Sequence, residues 1–567
     1  MGAITSSALG TGSVTVSSGG AIDLNGFSLL NSATVAGTGV SSGGALTNSS
    51  ASAVTVSGPL TLSASSSLIS TPGMTLGTVN GGAYALTVTA GTGAGTGDIT
   101  LNGALTFSGE NISTFTASRN IYINAPITVN GTTSASGIAL KYNQANGGGD
   151  YVFGISTTGS GAALAASFSG AINFANTAST FTTQSYSTSK SYTLINAFTS
   201  SGASGTTFYC ATAANCTASN SLNFALIGNI DASTFTTTGL AAGSKYANMR
   251  VLGNSSAAYA GTFTGLGHTI TGLTLSGAGN VGLFYSTANG AAVRDVRLTN
   301  TSITGTGNYT GALVGSAASG LTMTNVIMDG TSSVSNSASS YVGGLMGSAG
   351  TGTLSNIYVL TTNVTGGTYT GGVLGYGNMT STNVHKVGNV TSAGSTVGGV
   401  FGYMSGTLTN VDSVGSVTVT SSNSNVGGLI GDAGASTITT ASVTGAVTAS
   451  ASSSVGGLLG TYSSGTLTSV SATGGDISGT SSVGGLIGYT GSTITINGAS
   501  ATGNVTGTSS YVGGLVGYMY STGTLSNVYA TGNVQGTTGV GGLVGYAYRG
   551  TFNNAYSTGL ITGTSNV

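Results

Sequence analysis

Along the C-terminal half of the chain, apolar residues come in short bursts and not at helical spacing. A burst such as VGGLVGY (residues 512–518) is followed by an alternating stretch such as GTLSNVYATGNV (residues 523–534). Alternation of apolar with small polar residues predicts half-buried strands, and the intervening glycines predict turns. Within the burst, Val512 and Leu515 stand three apart, which breaks strict alternation. A bend or bulge at Gly513-Gly514 lets both side chains point inward.

The burst recurs as VGLF (281–284), TGALVG (310–315), VGGLMG (342–347), TGGVLGY (370–376) and VGGVFGY (397–403). It continues as VGGLIG (426–431), VGGLLG (455–460), VGGLIGY (483–489) and the copies at 512–518 and 540–546. Its central Leu or Val falls at 283, 313, 345, 373, 400, 429, 458, 486, 515 and 543, a period of about 28 residues. A single unit of that length cannot bury its own apolar face, so stacked neighbours must supply the core. The expected fold is all-β: a parallel β-solenoid whose coils each supply two or three short strands. At about 4.8 Å between stacked strands, ten coils extend roughly 50 Å.

Two columns ride on this period. One holds Asp295, Asn325, Asn356, Asn383, Asn410, Thr440, Ser469, Asn497, Asn527 and Asn554. Stacked coil on coil, Asn325, Asn356, Asn383, Asn410, Asn527 and Asn554 are placed to form a structural amide ladder along the axis. The other follows the last glycine of the burst and holds Tyr376, Tyr403, Tyr489, Tyr518 and Tyr546. That file reads first as packing or surface decoration, and second as a stacking platform for carbohydrate.

The N-terminal part is less regular. Segments such as GSVTVSSGGAIDLNG and GTGDITLNGALTFSG alternate in the same way, but in coils of about 20 residues. The organisation expected is an irregular solenoid over 1–190, a transition segment over 191–262, and the regular array over 263–567. In the transition segment Cys210 and Cys216 lie six apart, and a small disulfide loop is the favoured reading, with two free thiols as the alternative.

Composition narrows the function classes. Charged residues are 3% of the chain, where roughly 25% is usual. Gly numbers 100 and Pro only 3, with no three-residue period, which excludes collagen. A net charge of −1 argues against nucleic acid or an anionic membrane as partner. No apolar run is long enough to span a bilayer as a helix. No signal peptide is visible at the start, and the last residues, TGLITGTSNV, halt where earlier repeats run on into Gly-Gly. The expectation is a piece of a longer array, or an end covered by another copy in a filament.

The G-[GA]-L-x-G copies resemble the GLUG motif. The run FALIGNIDAS, GTFTGLGHTITGLTL and VGLFYSTANGAAVRDVRLTN is similar to the lead-in to such motifs in bacterial surface exoproteins of the filamentous-haemagglutinin-like kind, secreted by a two-partner or autotransporter route. The resemblance covers about residue 192 to the end. It implies a right-handed β-helix, secreted or at the cell surface, with adhesive, aggregative or matrix roles. Host or neighbouring-cell glycans or proteins are the partners it implies.

Catalytic chemistry is harder to place. Polysaccharide-active β-helix enzymes need converging carboxylates, and no two of the ten acidic residues are neighbours. Asp412 and Asp432 fall in consecutive repeats on different strands. Arg294-Asp295-Arg297 is the densest charged stretch, and both arginines are expected to face outward. His268 is expected to make a structural bond at a turn, and His385 to form a surface pair with Lys386. No metal, cofactor or catalytic residue is assigned. The expected function is therefore a non-enzymatic extracellular stalk or fibre subunit. The alternatives are a glycan-binding solenoid using the tyrosine file, a polysaccharide-active enzyme, and an ice-binding protein. Threonines that drift in position between coils argue against the last of these.

Overall fold

The computed structural model describes residues 9–91, 97–198, 221–233 and 258–567, apart from 337, 339, 340 and 423. The chain is an all-β parallel solenoid of about 16 coils, with a coil length of about 29 residues. Cys210 and Cys216 lie outside the described residues. Among those described, no helix is long and apolar enough to cross a membrane.

One coil illustrates the C-terminal array. The short strand Thr396–Gly398 turns at Gly399-Val400 into the long strand Phe401–Val414, and Val417–Val419 follows. The chain then enters the next coil at Asn425–Gly427. Each strand pairs in parallel with its counterpart one coil on: Val397 with Val426, Phe401 with Ile430, Val411 with Ala441 and Val417 with Val447. The short entry strands make a nine-stranded sheet, the exit strands an eleven-stranded sheet, and the long strands belong to a thirty-stranded one. Val397, Val400, Phe401, Met404, Leu408, Val411 and Val417 fill the interior and are almost inaccessible to solvent.

The burst forms the corner between the entry and long strands. At Gly427 a Cβ would lie 2.0 Å from the carbonyl oxygen of Ile430, and at Gly428 it would lie 2.2 Å from that of Gly457 in the next coil. At Gly431 it would lie 2.5 Å from the amide nitrogen of Val397 in the preceding coil. None of these three glycines has a positive φ. They are required because backbone packs on backbone at the corner, both within a coil and between coils. The expected bend is present, and its cause is close approach.

A second bend lies inside the long strand. Asn410 has φ 55°, in the left-handed region, and the ladder steps over it from Thr409–Thr439 to Val411–Ala441. Asp295, Asn325, Asn356, Asn383, Thr440, Ser469, Asn527 and Asn554 share this conformation. Asn tolerates it better than most residues with a Cβ. The column read from sequence as part of an alternating strand is therefore a corner. Its side chains join along the axis: Asn325 donates to Asp295 at 2.8 Å, Asn356 to Asn325 at 2.9 Å, Asn383 to Asn356 at 3.0 Å and Asn410 to Asn383 at 2.9 Å. A second run links Asn554 to Asn527 at 2.8 Å and Asn527 to Asn497 at 2.9 Å. Thr440 and Ser469 separate the two runs. In the coil where the sequence places Asn497 in this column, Gly498, with φ 72°, takes the bend, and Asn497 pairs with Ser526 one position earlier.

The N-terminal coils are shorter and less even. Val54 pairs with Met74, Met74 with Ile99, Ile99 with Ile121 and Ile121 with Tyr151, all in parallel. Two antiparallel pairs then interrupt the stack: Ile155–Thr158 with Ala165–Phe168, and Thr180–Ser185 with Thr188–Ile195. The buried apolar side chains divide into two large clusters, one running from Val14 to Leu266 and the other from Ile195 to Val540.

Candidate functional site

The outward position after the last glycine of each burst forms one register column: Tyr376, Tyr403, Asp432, Thr461, Tyr489, Tyr518 and Tyr546. Tyr376 and Tyr403 stack with centroids 4.6 Å apart at 14°. Tyr518 lies 5.5 Å from Tyr489 and 5.0 Å from Tyr546, with tilted rings. Asp432 and Thr461 divide the file into two groups. Burial pushes the Asp432 carboxyl above its usual pKa.

Further tyrosines thicken both groups. Tyr309, Tyr341 and Tyr369 stack at 5.1 and 4.9 Å, and Tyr341 and Tyr369 both meet Tyr376 edge-on. Tyr511 stacks on Tyr518 at 4.8 Å. These residues stand one position before the burst, as in Tyr341-Val342-Gly343 and Tyr511-Val512-Gly513. Their recurrence was visible in the sequence, and reading only the position after the burst misses them. Tyr520 comes from an irregularity between Met519 and Thr522, which no periodic reading anticipates.

Most of these rings face one another along the axis. A sugar stacks on an aromatic face, so stacked rings offer it mainly their hydroxyl edges. Tyr520 and Tyr548 are the more open rings, 55% and 61% exposed. With Thr522 and Arg549 they line a cleft of about 360 Å³, and the Arg549 guanidinium lies 5.4 Å from the Tyr548 ring centre.

The charged residues are arranged otherwise than expected. Arg294 does not face outward. It is largely buried and donates to both Asp150 carboxylate oxygens at 3.0 and 2.9 Å, to Asp295 at 2.6 Å and to the Tyr151 carbonyl at 2.6 Å. Its guanidinium lies 3.9 Å above the Tyr151 ring. Burial opposes its charge, yet Asp295, Tyr151 and Asp150 outweigh that and hold its pKa well above normal. Burial also raises the Asp295 carboxyl, against the lowering effects of Arg294 and Asn325. This arginine joins the two stacks. Arg297 pairs with Asp329 at 2.6 Å.

His385 and Lys386 do not pair, because successive residues of a strand point to opposite faces. His385 bonds to Asp412 and stacks on Tyr358 at 5.0 Å. Lys386 is fully buried, and its ammonium donates to the carbonyls of Thr362, Val387 and Gly388 at 2.8, 3.0 and 3.0 Å. His268 donates from Nε2 to the Ile172 carbonyl at 2.8 Å from within a strand, and burial lowers its pKa. Asp412 and Asp432 stay apart, paired in register with Ser442 and Tyr403. Among the described residues no three His, Cys, Asp or Glu side chains converge as a metal site.

The GLUG motif matches residues 508–535. No curated protein and no solved structure matches the chain. The GLUG segment begins just after the exit strand Val505–Gly507 and comprises the entry strand Ser510–Gly513, the corner, the long strand Val516–Ala530 and the next exit strand Val534–Gln535. It is thus one full coil. The nine other bursts occupy the same corner in their own coils.

Proposed function

We propose that this chain is a non-enzymatic structural and adhesive segment of a bacterial surface or secreted protein, a stalk carrying binding faces on its sides. The axial continuity of the stack carries this reading: along the C-terminal array each coil is bonded to the next through three sheets and, over much of that length, through an asparagine ladder. Such a stack resists bending and leaves its outward columns free to vary. The GLUG motif, found in adhesin-like surface proteins, supports the same reading. Display of the chain on a non-adherent bacterium tests it. Attachment to host or neighbouring cells should rise above that given by an unrelated solenoid of equal length, and no gain would remove the adhesive half of the proposal. Release of reducing ends from any of a panel of polysaccharides would contradict the non-enzymatic half.

A second reading, glycan binding, is favoured specifically by the Tyr520–Tyr548–Arg549 cleft. Two open rings and a guanidinium suit a sugar that bears a carboxylate. Binding on a glycan array should fall with Tyr520→Ala and Tyr548→Ala, and less with Tyr489→Ala and Tyr518→Ala, whose rings are largely engaged with one another.

A further inference from the structure

Of the ten acidic residues, Asp432 alone has no hydrogen-bond or ion-pair partner among the described residues. Arginines hold Asp98, Asp150, Asp295 and Asp329, and His385 holds Asp412. Asp23, Glu110, Asp231 and Asp476 accept from Ser49, Thr133, Ser233 and Asn504. Asp432 is half-buried all the same, and that burial raises its carboxyl above the usual pKa. A carboxylate so placed has lost water contacts without gaining a partner.

Its surroundings form a notch in the tyrosine file. Asp432 pairs in register with Tyr403 on one side and Thr461 on the other, and Thr461 pairs with Tyr489. Tyr403 and Tyr489 are thus three coil steps apart, about 14 Å. Each ring has its aromatic neighbours on the side away from the notch: Tyr376 for Tyr403, and Tyr518 and Tyr520 for Tyr489. The column alongside, whose Tyr369 meets Tyr376 at 5.3 Å, is interrupted in the same place, with Tyr369 followed by Thr396, Asn425 and Ser454. Asn425, Ser454 and Thr461 are only partly buried and make no side-chain hydrogen bond among the described residues. The floor therefore offers one carboxylate, one amide and two hydroxyls, and the near wall offers a tyrosine face. The Tyr403 hydroxyl leans over the coil of Asp432, 2.8 Å from where a Cβ at Gly434 would stand.

We propose that this notch binds the ammonium group of a lysine side chain on a partner protein. An ammonium supplies the charge that Asp432 lacks and is attracted to the open face of Tyr403. Its diverging donors suit separate acceptors, whereas the planar fork of a guanidinium suits paired ones. Calcium is held by several carboxylates and carbonyls, and the floor has a single carboxylate. Depth selects the carrier. Asp432 is a short side chain at the foot of tyrosines that reach further out, so the amine must arrive on a slender stem. The methylenes of lysine provide one and pack along the rings, while the amine of a hexosamine sits directly on a bulky ring. The notch is independent of the Tyr520–Tyr548–Arg549 cleft, which suits the opposite charge.

Ligand-observed NMR titration of the full chain with Nα-acetyl-lysine methylamide tests it. The probe should bind saturably, and Asp432→Asn should weaken binding about tenfold or more without lowering the melting temperature. Tyr403→Leu should weaken it about fivefold. Asp476→Asn, at an exposed carboxylate in a different column, should leave binding unchanged. The same probe acetylated on its side-chain nitrogen keeps the stem and loses the charge, and it should not bind. No saturable binding by the unsubstituted chain would overturn the proposal. So would affinity that survives Asp432→Asn. Tighter, Asp432-dependent binding of glucosamine would overturn it in favour of an amino sugar. Asp432-dependent binding of calcium, with none of the amine, would overturn it in favour of a metal.

Discussion

At the scale of single residues, Lys386 is the least compatible with its surroundings. It occupies a core column between Val359 and Ser413, and among the described residues its ammonium bonds to three backbone carbonyls and to no carboxylate. Burial lowers its pKa to about 7. An unfolded lysine titrates near 10.4, so between these values the unfolded chain holds a proton that the folded chain has released. Stability therefore rises with pH from about 7 to about 10, and the full cost is present below 7. Lys386→Met should remove that slope and raise stability at pH 6 by about 1–3 kcal/mol. Thermal melts of both proteins from pH 6 to 9.5 check it, and parallel pH profiles would show that Lys386 does not titrate as described.

At the scale of one coil, two backbone devices define the shape: the glycine corner and the asparagine bend. Asn383 makes two ladder bonds, donating to Asn356 and accepting from Asn410. Asn383→Gly keeps the left-handed conformation and loses only those bonds, at a cost of about 1 kcal/mol. Asn383→Ala loses the same bonds and keeps a Cβ in that conformation without the polar side chain that eases it, and should cost about 2 kcal/mol. Urea titration of the two variants reads the difference, and equal losses would mean that the bend carries no strain.

The same two devices mark how far the sequence could be read. Period, strand type and stacking were legible because Val, Leu and Gly recur at fixed offsets, and so was the membership of most of the asparagine column. The bend at Asn410 was not, since a residue between two strand legs looks like one more polar position in an alternating run. The inward turn of Arg294 was also hidden, because its partner Asp150 lies in the other stack. The register of the exit-strand threonines, Thr365 opposite Thr391 and Thr391 opposite Thr418, was hidden for a related reason. Loop lengths vary from coil to coil, so equal spacing in space becomes unequal spacing in sequence.

At the scale of the whole molecule, a buried ionic cluster reinforces the junction of the two stacks, which strand pairing from Tyr192 through Phe224 to Phe263 and the His268–Ile172 bond also cross. Arg294→Met leaves Asp295 fully buried without its cation and unties Asp150. The expected cost is about 3–5 kcal/mol. The melting transition should also broaden or separate into two, followed by calorimetry, because the clusters on either side are then coupled only by strand pairing and the His268–Ile172 bond. A single transition, shifted down but neither broadened nor split, would place the coupling elsewhere.

The central claim is that the chain is a one-dimensional stack in which each coil leans only on its neighbours. Single-molecule pulling between the two ends tests this most directly. With a coil length of about 29 residues, one unravelled coil should lengthen the chain by about 100 Å. The account predicts a run of rupture steps at that length or small multiples of it. One or two large events, with lengths unrelated to the coil, would contradict it.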